Sequence, residues 1–218
     1  AIAFSDDYRT PAELTIEEIA KIVQAFGQGA RRAHEAGFDV IELHGAHGYL
    51  INQFLSPLTN HRTDEYGGSL INRARFLKEI LQAVGAVWPK EKPIIVRVSA
   101  EEFHDNGNHT MDLAHILNIL KDTGIDLVNV STGGVINVGT NTYPGYQVRC
   151  AEIIRRETGL PVMAGGLISS ADMAEEIIQN ERADLIFLGR ELLRNPYWPL
   201  QAAKELHVDL EWPVQYQR

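Results

Sequence analysis

Apolar residues recur along this chain with two alternating periods, and together they predict a repeated strand–helix array. Over residues 15–36, Ile19, Ile22, Val23, Phe26, Ala30 and Ala33 fall on one face at helical spacing. Thr15 and Glu18 form a capping-box pair at the start, and Gly37 supplies the stop. The run Val40-Ile41-Glu42-Leu43 then reads as a buried strand covering about residues 39–44. A second helix is expected over about 70–88, with Phe76, Leu77, Ile80, Leu81, Val84 and Val87 inward and Pro89 ending it. Further strands are expected at about 93–98, 126–130, 161–164 and 184–188, each followed by a helix, near 111–123, 147–158, 170–180 and 197–206.

Three strands share one lead-in: Gly37-Phe38-Asp39-Val40-Ile41, Gly124-Ile125-Asp126-Leu127-Val128 and Ala183-Asp184-Leu185-Ile186. A helix, a small residue, an aspartate and an apolar strand is the repeat of a β/α array. Near-continuous apolar strands are expected where a parallel sheet is covered on both faces. No Gly-x-Gly-x-x-Gly turn follows any strand, which weakens a dinucleotide-binding doubly wound sheet. Polar residues follow nearly every strand, and the last two strands end in glycine, as in (β/α)8 barrels. The expectation is an α/β fold, a TIM barrel with about strands 4–8 in this chain, and a single domain over residues 1–218.

Composition narrows the function. The 218 residues are 44% hydrophobic, enough for one sizeable core, and the net charge is −9. Such a surface repels phosphate backbones, so neither nucleic acid nor an anionic membrane is an expected partner. No apolar run has membrane-spanning length, and no signal peptide is visible. Cys150 is the only cysteine, so no internal disulfide framework is expected, and a reducing cytoplasm fits. Cys150 itself reads as a half-buried small residue. The start at Ala1, without a methionine, reads as an interior cut.

The candidate chemistry gathers at strand ends. His44-Gly45-Ala46-His47-Gly48-Tyr49 places two imidazoles and a phenol after the first strand, separated by small residues. An imidazole pair can donate to one substrate oxygen, and a nearby phenol can deliver a proton. A zinc site is disfavoured, because no third ligand has suitable spacing. Arg97, inside an apolar strand, either forms an ion pair with Glu42 or Glu101 or donates to the electron-rich ring edge of a cofactor; the second is favoured. Gly165-Gly166 and Gly189-Arg190 follow adjacent strands and suit a phosphate. The long loop over 55–69 reads as structural, with Arg62, Asp64, Arg73 and Arg75 knitting it to the next helix by ion pairs.

The run from Asp39 to Phe76 resembles the Old Yellow Enzyme family of FMN-dependent ene-reductases. The resemblance is carried by His44-Gly45-Ala46-His47-Gly48-Tyr49-Leu50, Gln53-Phe54-Leu55-Ser56-Pro57, Asn60-Arg62-Asp64-Tyr66-Gly67-Gly68-Ser69 and Asn72-Arg73-Arg75-Phe76. It is strongest to the bacterial thermophilic-type branch and continues through Arg97, Gly165-Gly166 and Gly189-Arg190 to the C-terminus.

The resemblance implies a (β/α)8 barrel holding FMN at its carboxyl-end mouth, with NAD(P)H as reductant. His44 and His47 would bind the carbonyl oxygen of an α,β-unsaturated substrate. Tyr49 would protonate its α-carbon, while reduced flavin N5 gives hydride to the β-carbon. Arg97 would face the flavin N1/O2 edge, and Gly165, Gly166, Gly189 and Arg190 would hold the phosphate. In a homo-oligomer, Arg218 would reach a neighbouring subunit's active site. The family carries three further β/α units before this start, an N-terminal segment that another chain could supply. The competing expectations are a non-catalytic barrel fragment that folds or self-associates without flavin, and a phosphosugar-processing barrel.

Overall fold

The computed structural model describes residues 2–216. Its frame is a parallel sheet of five strands in sequential order, β1 (Ile41–Gly45), β2 (Ile94–Ser99), β3 (Leu127–Ser131), β4 (Val162–Ala164) and β5 (Leu185–Ile186). Parallel neighbours in sequential order require crossovers of one hand, which place every connecting helix on the same side. The long helices are α1 (Ile16–Glu35), α3 (Leu70–Gly85), α4 (Thr110–Leu120), α5 (Val148–Thr158), α6 (Ala171–Gln179) and α8 (Trp198–Glu205). Two short ones, α2 (Leu50–Leu55) and α7 (Arg190–Arg194), lie where no helix was expected.

Side chains alternate across each strand, and here the alternation separates core from site. Leu43, Val96, Val98, Val128, Val130, Val162 and Ala164 point to the helices and are buried. They meet Phe76, Leu77, Ile80, Leu113, Leu117 and Ile154, all at most 1% exposed. The other face carries His44, Arg97, Asn129 and Met163 in one row across the register. This row lies on the face turned away from the helices. Among the described residues β1 and β5 each pair on one side only, and no helix is long and apolar enough to cross a membrane.

Most expected elements are present with shifted ends. The capping box of α1 forms, with the Thr15 amide donating to Glu18 Oε2 at 2.8 Å and the Glu18 amide to Thr15 Oγ1 at 3.2 Å. Helix α3 stops at Gly85, with Ala86 as its C-cap, rather than at Pro89. Val87, expected inward, is therefore exposed, and Trp88 is buried in its place. The last strand keeps ladder geometry for two residues only, although the Phe187 amide still donates to the Ala164 carbonyl.

The repeated aspartates of the strand lead-ins have a structural purpose. Asp126 Oδ2 accepts from the Ile94 amide at 2.8 Å, while its own amide donates to the Ile94 carbonyl. Asp184 brackets Val162 in the same way, again at 2.8 Å through Oδ2. Each bracket fixes where one strand starts relative to its neighbour. Asp39 differs: its carboxylate is exposed and pairs with Lys92 Nζ at 3.4 Å.

Burial pushes the Asp184 carboxyl up, but hydrogen bonds from Arg155 and the Val162 amide outweigh it and hold the group below its usual range. Its contribution to stability is therefore present above the ordinary carboxylate range and lost as the pH falls through it. Asp184→Ala is expected to cost about 1–3 kcal/mol, read as a lower urea midpoint at neutral pH. An unchanged midpoint would show that the bracket does not hold the strand.

Candidate active site

The chain leaves β1 through a turn with unusual backbone. His47 and Gly48 are both left-handed, with φ of 58° and 74°. A side chain at Gly48 would bring its Cβ to 2.3 Å from the Gly134 carbonyl oxygen, so only glycine fits there. The His47 amide donates to Ser99 Oγ at 3.0 Å, and Ser99 donates onward to the Gly133 carbonyl at 2.7 Å. Tyr49 then serves as N-cap residue of α2. The turn brings the three expected groups together. The ring centroids of His44 and His47 are 5.2 Å apart, and those of His44 and Tyr49 are 4.9 Å apart. Tyr49 is exposed toward the mouth.

Both imidazoles are held neutral. Burial, then the Arg97 and His44 charges, push His47 down to about 4. Burial and Arg97 lower His44 as well, opposed by Glu42. At neutral pH each ring therefore carries one N–H and one lone pair. His47 Nε2 lies 2.6 Å from Ser131 Oγ. Gln147 Nε2 fixes that hydroxyl from behind at 3.0 Å, and also reaches Thr132 Oγ1 and Tyr146 Oη at 3.3 and 3.0 Å. Ser131 and Gln147 were not among the expected site residues. Their one sequence signal is position, since Ser99 and Ser131 both end buried strands with a hydroxyl.

Arg97 makes neither expected ion pair. Glu42 accepts instead from Asn129 Nδ2 at 2.7 Å, and Glu101 bonds His109 Nδ1 at 2.8 Å. The Arg97 guanidinium sits 5.3 Å from the Phe187 ring centroid. Its Nε is shielded from solvent and has no hydrogen-bond partner, and neither has Asn129 Oδ1 beside it in the register. A cavity of about 510 Å³ opens here, lined among others by His47, Arg97, Gln147, Gly166, Gly189 and Arg190. Gly165 stands apart: the Phe187 ring occupies the space its Cβ would need, at 2.4 Å. Its smallness admits the aromatic ring that lies against Arg97. Gly166, with φ of +99°, turns the chain along the cavity.

The loop over 55–69 is structural, but its bonding differs from the expectation. Arg62 forks onto Asp64 at 3.0 and 2.6 Å, and also donates to the Leu14 carbonyl at 2.7 Å, tying the loop to the segment before α1. Arg73 anchors through the carbonyls of Leu55 and Gly68 and through Asn108 Oδ1, in place of an ion pair. Arg75 does reach Glu65, by its carbonyl at 2.8 Å and its carboxylate at 3.8 Å. Cys150 is half-buried, and burial raises its thiol. Arg218 lies outside the described residues.

These units are consecutive β/α units of the (β/α)8 type, with polar groups at the carboxyl ends of the strands. The family described as NADH:flavin oxidoreductase / NADH oxidase matches residues 2–209, and the chain belongs to it. An NADPH dehydrogenase of Geobacillus thermodenitrificans is 57% identical over 218 residues, covering 100% of this chain and 64% of that protein. An NADPH dehydrogenase of Bacillus subtilis is 51% identical with the same coverage. The chain thus spans 64% of the length of these relatives. Among solved structures, a 2-naphthoyl-CoA reductase in complex with 2-naphthoyl-CoA aligns with TM-score 0.87 and 29% identity, over 93% of this chain and 32% of that one. A histamine dehydrogenase from Rhizobium sp. 4-9 aligns with TM-score 0.81 and 29% identity, over 92% and 30%.

The family implies FMN, and the residues fit it. The unpartnered Arg97 Nε offers a charged donor at the cavity wall. Arg190 and the glycines at positions 166 and 189 line the same cavity, where an anion's oxygens need donors. Because His47 is lowered in the folded chain, its contribution to stability is full above about 6.5 and is lost as the pH falls toward 4. His47→Gln is expected to flatten the stability profile between those limits, as followed by urea unfolding at several pH values. An unaltered profile would mean that His47 is not held neutral.

Proposed function

We propose that this chain forms the substrate face of an FMN-dependent NAD(P)H oxidoreductase that reduces the C=C bond of α,β-unsaturated carbonyl compounds. The observation that carries this reading is the trio His44, His47 and Tyr49, two neutral imidazoles and a phenol with ring centroids about 5 Å apart. The family match and the relatives named NADPH dehydrogenase support the cofactor and the reductant. When bound, the flavin supplies the hydride that the β-carbon receives. This chain's residues do the rest.

His44 and His47 donate N–H groups to the carbonyl oxygen and stabilise the negative charge that builds there as the β-carbon is reduced. Neutral rings suit this, because each retains a donor without carrying a charge that must be neutralised. For His47 the donor can be shared with or released from Ser131, whose hydroxyl has Gln147 as a second partner. Tyr49 gives its proton to the α-carbon from the exposed side of the mouth, where water can replace it. Arg97 and Arg190, both in the cavity lining, bind the cofactor, with Gly166 and Gly189 allowing close approach.

In the FMN-loaded protein, a small enone should accelerate NAD(P)H oxidation. Removing one imidazole by His44→Ala or His47→Ala is expected to slow that rate about 10²–10³-fold. Tyr49→Phe should slow it about 10²–10⁴-fold while leaving bound flavin absorbance unchanged. If the enone has no effect on NAD(P)H oxidation in a flavin-loaded sample, the reading is wrong.

A further inference from the structure

One residue, Gly48, separates His47 from Tyr49, and helix α2 holds it from both ends. The Gly48 amide donates to Asn52 Oδ1 at 2.8 Å, and the Gly48 carbonyl accepts from Gln53 Nε2 at 2.6 Å. Both clamps come from the first turn of the helix that Tyr49 caps. Asn52 is 2% exposed, and behind it lies Glu102, 0% exposed and unused by the chemistry proposed above.

We propose that Asn52, oriented by the buried Glu102, is a positioning residue that sets where His47 and Tyr49 stand relative to each other. The amide of an asparagine can face either way, and the Gly48 N–H requires its oxygen. Glu102 makes that choice. Its Oε2 accepts from the Ser56 hydroxyl and the Asn108 amide, each at 2.8 Å. Its Oε1 faces Asn108 Nδ2 at 3.4 Å and Asn52 Nδ2 at 3.5 Å. Burial raises the Glu102 carboxyl, while the four donors converging on it favour the ionised form, in which every oxygen position is an acceptor and Nδ2 of Asn52 faces it. Oδ1 is then directed at Gly48.

The effect on the site follows from the backbone. A left-handed residue other than glycine is uncommon, and although histidine tolerates that region better than most, it persists where the surroundings impose it. A Cβ at Gly48 would meet the Gly134 carbonyl oxygen, so the turn is closely fitted there. Without the Asn52 oxygen, the half-buried Gly48 N–H loses its acceptor and the turn relaxes. His47 then leaves Ser131, and Tyr49 moves with the start of α2.

The effect on turnover rests on the function proposed above, whereas the geometric claim does not. The test compares Asn52→Leu, Glu102→Gln and the exchange variant Asn52→Asp/Glu102→Gln. In the exchange variant the new carboxylate accepts from Gly48 and from the new amide, whose oxygen still accepts from the Ser56 hydroxyl and the Asn108 backbone amide, while Asn108 Nδ2 gives up the side chain at 102 and keeps the Leu55 carbonyl. The first readout is the titration of the His47 ring by NMR in the full chain. Its midpoint near pH 4 is expected to rise by at least about one unit toward an exposed histidine's value in the single variants. It should return in the exchange variant.

The second readout, in the FMN-loaded protein, is enone turnover, expected to fall at least about tenfold with flavin affinity unchanged. Circular dichroism confirms folding, and should Asn52→Leu not fold, the near-isosteric Glu102→Gln and the exchange variant carry the comparison. A His47 titration that stays in place in the folded single variants, or that the exchange does not restore, overturns the proposal. If the titration moves as expected while wild type shows no enone turnover, the positioning role stands and the proposed reaction falls.

Discussion

Alternation of side chains along five parallel strands is the constraint on which the rest of this structure depends. Every second residue must join the apolar layer beneath the helices, and the residues between are released for chemistry. A slip of one residue in any strand would bury Arg97 or Asn129 among Phe76 and Ile80 and turn Val96 or Val128 outward. The aspartate brackets at Ile94 and Val162 oppose that slip, because each ties the amide and carbonyl of a strand's opening residue to one neighbour. The same aspartates that announce the repeat in the sequence therefore keep the polar row in line.

Within that row the groups condition one another. Asn129 donates to the Glu42 carboxylate, which forms no ion pair with Arg97. Arg97 then stays a free positive charge beside Phe187, and its field helps to hold both imidazoles neutral. A neutral pair of donors and a charged donor on the neighbouring strand are thus two results of one arrangement. Replacing the Glu42–Asn129 bond by a Glu42–Arg97 ion pair would remove both: the histidines would ionise more readily, and the cavity wall would lose its charge.

Much of this was legible in the sequence, for physical reasons. Long helices and strands declare themselves through periodic burial, and the trio at His44, His47 and Tyr49 stood out as polar groups at a strand's carboxyl end. The misses have equally physical causes. Helices α2 and α7, of six and five residues, are too short to show a period. Trp88 displaces Val87 because α3 ends before Pro89 imposes an end. Arg73 binds carbonyls because the loop folds back with its oxygens toward the helix, a geometry that charge patterning does not reveal. Gly165 carries the mark of a phosphate loop, yet the Phe187 ring, a partner over twenty residues away, fills the space beside it. Single polar residues such as Ser131, Gln147, Asn52 and Glu102 have no periodic signal at all, and only the folded chain brings them to His47 and Gly48.

The two ends of the site do not depend on the same parts of the fold. Gly166, Gly189 and Arg190 follow β4 and β5, and the cavity they line is closed by Tyr146, Gln147 and Leu167 from within this chain. The connection bearing Gly189 and Arg190 follows β5, which like β1 pairs on one side only among the described residues. His44 and Glu42 project from β1, at the other edge of the sheet. Whatever lies against the other edge of β1 alters the burial that lowers His44 and His47. The acid–base character of the imidazoles is consequently the property most sensitive to that edge. The geometry of the turn is less so, because its holds come from Ser99, Asn52, Gln53 and Gly134.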